Sequence, residues 1–227
     1  MMKNILIVCA MEEEREGILC HFKESIEETD GIKKISFQDK TISLMLGGIG
    51  KVSMAFQLGK YLASQKADIV LNVGVAGSCS KKLPPFSTLI ATKCAYYDVD
   101  LTAFSHKRGE MSQCPLYFEC DKKAIDIISS FQDDTVKEGL ILSGDSFVTK
   151  KNCPTGIEED FDHPLAIDME SAAVGQVCYM SQIPFLVIRS ISDDTTDENG
   201  NESQYEENMV NAAKKAGDIV FELIKRI

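Results

Sequence analysis

The sequence predicts an α/β fold: a single-domain α/β/α sandwich around a mixed central β-sheet, spanning residues 1–227. Three observations carry this. Short apolar runs of strand length recur along the chain, beginning with Ile5-Leu6-Ile7-Val8-Cys9, and such runs read as buried strands. Longer segments of helical periodicity lie between them. A chain of 227 residues, 44% hydrophobic and 26% charged, has enough material for one medium domain with an ample core. No repeat, low-complexity tract or interdomain linker interrupts it.

The elements follow in order. Strand 4–9 leads into helix 12–24, whose first turn carries Glu12, Glu13 and Glu14, residues that complement the helix dipole. Strands 32–37 and 41–46 precede helix 50–66. In that helix Val52, Ala55, Phe56, Leu58, Gly59 and Leu62 form an apolar stripe at helical spacing. Strands 68–74 and 87–94 come next, then helix 121–131, strand 137–142, helix 169–181, strand 184–190 and helix 203–226. The Asp/Glu/Asn-rich stretch 193–203 is the most polar loop. It reads as the start of the last helix, with a lid as the alternative.

Composition excludes several classes. A formal net charge of −11 repels phosphate backbones, so no nucleic-acid partner is expected, and the acidity reads as plain solubility. Eight cysteines include no CxxC pair, and only three histidines are present, so no metal or other cofactor is expected. Cys9, Cys94 and Cys178 lie in apolar runs and read as small core residues. Met1-Met2-Lys3-Asn4 leads straight into the first strand without a signal peptide, and no apolar run is long enough to span a bilayer. A reduced, cytoplasmic protein with no membrane partner is the expectation.

Four constellations carry chemistry. The run Ala10-Met11-Glu12-Glu13-Glu14 places acidic side chains at the C-terminal end of a core strand, where open α/β sheets bind ligands. Gly47-Gly48-Ile49-Gly50-Lys51 opens a helix with a turn whose N–H groups can meet an anion or polar ligand, although the Gly-x4-Gly-Lys-Ser/Thr pattern is missing. Asn72-Val73-Gly74-Val75-Ala76-Gly77-Ser78 follows a strand and reads equally as a close-approach site or a tight turn. Asp168-Met169-Glu170 and Arg189-Ser190-Ile191-Ser192-Asp193 add two more acidic strand ends. A carboxylate suits a diol, because it accepts two hydroxyl hydrogens. Each acid alone reads as a helix cap. Three strand ends offering carboxylates together are harder to read that way, since crowded like charges need stabilisation.

These residues form an ordered set: Ala10-Met11-Glu12-Glu13-Glu14, Gly48-Ile49-Gly50-Lys51, Gly74-x-Ala76-Gly77, Asp98-x-Asp100-x-Thr102-Ala103-Phe104, Ser143-Gly144-Asp145-x-Phe147, Asp168-Met169-Glu170 and Ser192-Asp193. The set resembles the 5′-methylthioadenosine/S-adenosylhomocysteine nucleosidase family, within the nucleoside phosphorylase superfamily. The resemblance implies a nucleoside phosphorylase-like fold and hydrolysis of an adenine N-glycosidic bond in methionine salvage. It implies that Glu14 is the general base that activates water and that Asp193 gives a proton to adenine N7. Glu170 would grip the ribose hydroxyls, Met169 pack on the sugar, Phe147 stack on adenine and backbone groups of Val148 read its edge. Met11, Ile49, Gly77 and Ser192 join the substrate-binding set. Phe104 and Pro115 would be lent by a neighbouring subunit, implying a homodimer, and Tyr205 would close the site.

The chemistry asks for such a set. The bond breaks through an oxocarbenium-like sugar. Adenine leaves badly as an anion, so Asp193 must hold a proton near neutral pH, whereas Glu14 must be ionised. Two positions depart from the family pattern. Val75 stands where Ser or Thr is usual, which removes a hydroxyl, and Asp168 stands where Glu is common and counts as supporting. These departures leave room for 5′-deoxyadenosine or aminofutalosine as substrate. A phosphorolytic relative is the nearest rival. It would need arginines to hold phosphate, and the chain has only Arg15, Arg108, Arg189 and Arg226. A non-catalytic nucleoside-binding protein is the other rival, and the joint presence of Glu14, Glu170 and Asp193 argues against it.

Overall fold

The computed structural model describes residues 3–22, 26–130 and 134–227. Among them, ten strands form one mixed sheet. The strands are β1 (Asn4–Cys9), β2 (Ile26–Thr29), β3 (Ile32–Phe37), β4 (Lys40–Leu46), β5 (Ile69–Ser78), β6 (Thr88–Tyr96), β7 (Phe118–Glu119), β8 (Val136–Ser143), β9 (Pro164–Asp168) and β10 (Phe185–Asp194). The helices are α1 (Glu12–Leu19), α2 (Lys51–Leu62), α3 (Lys122–Ser129), α4 (Ile157–Asp160), α5 (Ser171–Ser181) and α6 (Glu202–Ile224), with a 3₁₀ turn at Thr102–Phe104.

The sheet runs β10-β6-β8-β9-β5-β1-β4-β3-β2, with β7 on β6. β1 pairs in parallel with both β4 and β5, as its uninterrupted apolar run requires of a strand covered on both faces. β5 pairs with β10 as well as β9, so β5, β10, β6, β8 and β9 close on themselves. Helices cover both sides: α1 packs on α6, which lies over β5 and β10, whereas α2 packs on α5 on the other side. α1 and α6 approach so closely that a Cβ on Gly217 would lie 2.1 Å from the Gly17 carbonyl oxygen. The starts of both helices lie at the same end of the sheet, where Tyr205 of α6 meets Met11, the residue before α1.

Several expectations need correction. Helix 12–24 ends at Leu19, and its expected residues 23 and 24, like residue 131 of helix 121–131, lie outside the described residues. The segment Asn72–Ser78 is not a turn: it continues β5, because β10 pairs along it as far as Ser78. Helix 169–181 begins at Ser171, so Met169 and Glu170 stand before it. β2 was unforeseen because its Ile-Glu-Glu-Thr buries none of its residues, and β9 because it is five residues long and opens with proline.

The stripe on α2 also divides. The buried residues are Met54, Leu58 and Tyr61, while Val52 and Phe56 are 78% and 65% exposed. At about 100° per residue, Val52 and Phe56 lie on roughly the opposite face from Met54 and Leu58. The helix therefore has two apolar faces, and the sheet covers one. Cys9, Cys94 and Cys178 are buried as expected, and Cys120 joins them.

Candidate active site

At the C-terminal ends of β1, β5, β9 and β10 lies a cavity of about 390 Å³. It is lined by Met11, Glu14, Ile49, Gly77, Phe147, Val148, Met169, Glu170, Ser192, Asp193 and Tyr205, that is, every anticipated site residue except Phe104 and Pro115. Phe104, in the 3₁₀ turn, is 76% exposed, and Pro115 is half-buried; neither lines this cavity.

Glu14 is the third residue of α1 and reaches back over the helix start. One carboxyl oxygen accepts from the N–H groups of Ala10 (2.8 Å) and Met11 (3.1 Å), and the other accepts from Val75 N–H of β5 (2.9 Å). Gly74 makes room for it: a Cβ there would sit 2.2 Å from Glu14 Oε1. Burial pushes the Glu14 carboxyl up, and the Arg189 charge and the three backbone donors oppose that push. All three partners are donors, an arrangement that suits an ionised, acceptor-only carboxylate.

Glu170 immediately precedes α5 and accepts from Gly50 N–H at 2.7 Å. Burial, then the Asp168 charge, pushes its carboxyl up to about 8. Lys51 N–H donates to Asp145 Oδ1 at 2.8 Å. The glycine-rich turn thus has no anion cradle at these two N–H groups, because the chain's own carboxylates occupy them.

Behind Glu170 sits a buried polar core that the sequence had only half disclosed. Arg189 Nε donates to Asp168 Oδ2 at 3.0 Å, and its Nη2 donates to Asn72 Oδ1 at 2.9 Å. Asp168 also accepts from the Ser143 hydroxyl and from the Ser171 N–H and hydroxyl. Asp168 lines the cavity as well, next to Glu170. Arg189 is 2% exposed and engaged on this network, and no arginine or lysine lines the cavity among the described residues.

Asp193 lies near the end of β10, where the register against β5 slips between Ile191 and Asp193. Such a bulge re-aims a side chain. Asp193 is 2% exposed and accepts from the Ser192 hydroxyl at 2.6 Å and from Asn201 Nδ2 at 2.5 Å. Burial pushes its carboxyl up, and these two hydrogen bonds moderate the rise. Opposite, the Phe147 ring stands 5.3 Å from the Tyr205 ring at 72°, and Tyr205 O–H donates to Met11 Sδ at 3.3 Å. Aromatic edges, a thioether and carboxyls thus face one space, suited to a flat heterocycle joined to a polyol. Among the described residues no group of His, Cys, Asp and Glu is arranged to hold a metal.

Asp145, Thr195 and Ala76 also line the cavity, and Asn201 supports it. Asp145 stood in the run Ser143-Gly144-Asp145-x-Phe147 and was open to detection, whereas an asparagine in a polar loop carries no signal.

A family model described as the phosphorylase superfamily matches residues 4–225. A 5′-methylthioadenosine/S-adenosylhomocysteine nucleosidase of Haemophilus influenzae (strain PittEE) is 37% identical, over 99% of this chain and 100% of that protein. A mutant nucleosidase of Helicobacter pylori, with 5′-methylthioadenosine in its active site, superposes with a TM-score of 0.93 at 29% identity, over the full length of both chains. A nucleosidase described as putative, from Borrelia burgdorferi B31 and bound to adenine, gives a TM-score of 0.91 at 30% identity, over 98% of this chain and 100% of the other.

Proposed function

The chain belongs to the 5′-methylthioadenosine/S-adenosylhomocysteine nucleosidase family of the phosphorylase superfamily, and from that premise we propose that Glu14, Glu170 and Asp193 divide the work of hydrolysing an adenine nucleoside in the cavity. The enzyme is an N-glycosyl hydrolase; its products are adenine and the 5′-substituted ribose. The observation that carries the assignment of roles is the pair of carboxyls in one cavity, both pushed up by burial but opposed unequally: three backbone donors and the Arg189 charge act on Glu14, and only the side chains of Ser192 and Asn201 on Asp193.

Glu14, ionised, takes a proton from the attacking water. Asp193, protonated, gives a proton to adenine N7, so that the base leaves neutral rather than as an anion. A general acid or base contributes roughly 10²–10⁴-fold each. Glu170 accepts the ribose hydroxyls, and its negative charge faces the cationic sugar of the transition state. Met169 packs on the sugar. Phe147 stacks on adenine, with Tyr205 and Met11 closing the wall behind it, and backbone groups of Val148 read the base edge. Ile49, Gly77 and Ser192 complete the lining.

Incubation with 5′-methylthioadenosine in phosphate-free buffer should release free adenine and a reducing sugar. Ribose 1-phosphate as the main product, formed only with phosphate present, would overturn the hydrolytic reading. A wall with no arginine or lysine among the described residues favours water over phosphate as the nucleophile.

The working unit is a homodimer in this reading. Val52 and Phe56 of α2 and Tyr179 and Met180 of α5 leave a broad apolar face uncovered, as an interface does. The second copy would lend Phe104 and Pro115 to the 5′-substituent end of the cavity. All of residues 1–227 would serve as one nucleosidase domain, in methionine salvage in the reducing cytoplasm, where the eight free thiols would persist.

A further inference from the structure

Asn201 is the residue before α6, and it behaves unlike a helix cap. An asparagine in that place ordinarily turns its Oδ1 onto the first free N–H groups of the helix. Here the side chain makes no capping bond, and the residue is 1% exposed. Its Nδ2 instead donates twice, to Asp193 Oδ2 and to the Val148 carbonyl oxygen at 3.0 Å. Its own Oδ1 is buried and has no hydrogen-bond partner among the described residues. Giving up a cap and isolating an acceptor are both unfavourable locally, and buried exceptions of this kind gather at functional positions.

The amide can face only one way. The Val148 carbonyl never donates, so Nδ2 must face it, and the second Nδ2 hydrogen then falls to Asp193. Asp193 therefore sits between two donors, Ser192 Oγ on one oxygen and Asn201 Nδ2 on the other. The Asn201 Nδ2 group only donates, whereas the Ser192 hydroxyl also reaches the Ala76 carbonyl oxygen at 3.3 Å, so it can donate there and accept a proton carried by Asp193. The surrounding loop is pinned: Gln204 accepts from Asp194 N–H at 3.1 Å and donates to Asp197, and Tyr205 N–H donates to the Asn201 carbonyl at 3.0 Å.

We propose that Asn201 is a positioning residue for hydrolysis: its amide ties the Asp193 carboxyl to the Val148 backbone, fixing the proton donor against the wall that holds the base. This rests on Asp193 being the proton donor. The Val148 carbonyl keeps its second lone pair for the adenine edge, so one amide sets the relative position of the two groups that address the base.

The test compares Asn201→Ala and Asn201→Asp on two substrates. One is 5′-methylthioadenosine. The other is 4-nitrophenyl 5-methylthioribofuranoside, whose leaving group departs without protonation. The variants are also made in an Asp193→Asn background, and thermal melts confirm folding. Asn201→Asp keeps size and a capping oxygen, so it remains informative if Asn201→Ala unfolds. The expected result is a kcat on 5′-methylthioadenosine lower by about tenfold with KM changed by less than about twofold, and an unchanged rate on the nitrophenyl substrate. No further loss should appear on top of Asp193→Asn.

The alkaline limb of kcat should also move up, by about one pH unit in Asn201→Ala, where a donor to the ionised Asp193 is lost, and further in Asn201→Asp, where a second carboxyl stands against it. The other titratable groups facing Asp193 are Asp194, beside it on β10, and Tyr205 of α6, which burial pushes up to about 12; both are retained in every variant. Equal losses on the two substrates, additive losses with Asp193→Asn, or an unmoved limb would reduce Asn201 to a structural residue. Asp193→Asn alone reports on the donor itself. If it keeps the full rate on 5′-methylthioadenosine, the donor assignment fails and takes this proposal with it. If it loses rate while both Asn201 variants keep theirs, only the proposal fails.

Discussion

Below pH 8, the affinity for a ribonucleoside should fall with each unit of pH, and the cause should be Glu170. Burial and the neighbouring Asp168 push its carboxyl from an ordinary 4.5 up to about 8, against the pull of Arg189 and the Gly50 N–H. The two ribose hydroxyls arrive as donors. An ionised carboxylate accepts both, whereas a protonated one still carries a hydrogen of its own. The nucleoside therefore binds the ionised form better, and binding at pH 7 must first remove a proton from most of the protein. One unit below the pKa, about a tenth of the free protein is ionised, which weakens binding about tenfold, or about 1.4 kcal/mol. Calorimetric titration with 5′-methylthiotubercidin, which lacks a protonatable N7, gives the measurement from pH 6 to 9. Nearly one proton should be released per ligand at pH 7, read from buffers of different ionisation heat. In Glu170→Gln the affinity should be lower at pH 8 and lose this slope. An identical slope in both proteins, or no proton release, would refute the reasoning.

The same shift makes a statement about stability. A carboxyl whose folded pKa lies above its unfolded value favours the fold at low pH, and that contribution is lost as pH rises from about 4.5 through about 8. Glu170→Gln should therefore melt above the wild type at pH 8, by a margin that shrinks toward pH 5, in scanning calorimetry. Glu14→Gln should lose 10²-fold or more in kcat, roughly, while ligand binding persists in calorimetry; substantial turnover would remove Glu14 from the role of base. Gly74→Ala places a methyl group 2.2 Å from the Glu14 carboxylate, so kcat should drop on the order of 10²-fold with the circular dichroism spectrum retained. Phe104→Ala should weaken 5′-methylthioadenosine by roughly 1–3 kcal/mol and adenine much less. Val52→Asp should convert a sedimenting dimer to monomer, and an active wild-type monomer at working concentration would defeat the lent-residue reading.

The sequence by itself determined the class of fold and the parts of the cavity that lie on short runs. β1 and the acids after it, the turn before α2 and the Asp168-Met169-Glu170 and Ser192-Asp193 runs were legible because an apolar strand followed by polar residues is a property of neighbours in the chain. Residues Met11, Glu14, Glu170 and Asp193 duly line one cavity. What the tertiary structure alone decided are relations between distant residues. Glu170 meets Gly50 across 120 positions, and Arg189 meets Asn72 across 117. α2 has two apolar faces, and nothing local says that Met54 and Leu58 go inward while Phe56 stays out. Asn201 carries no signal in a polar loop until the fold sets Asp193 and Val148 against its amide. Periodicity records which side of an element is apolar. Which partner covers that side, and which buried charge answers which, depends on the closing of long loops, and local sequence does not encode the geometry that closure produces.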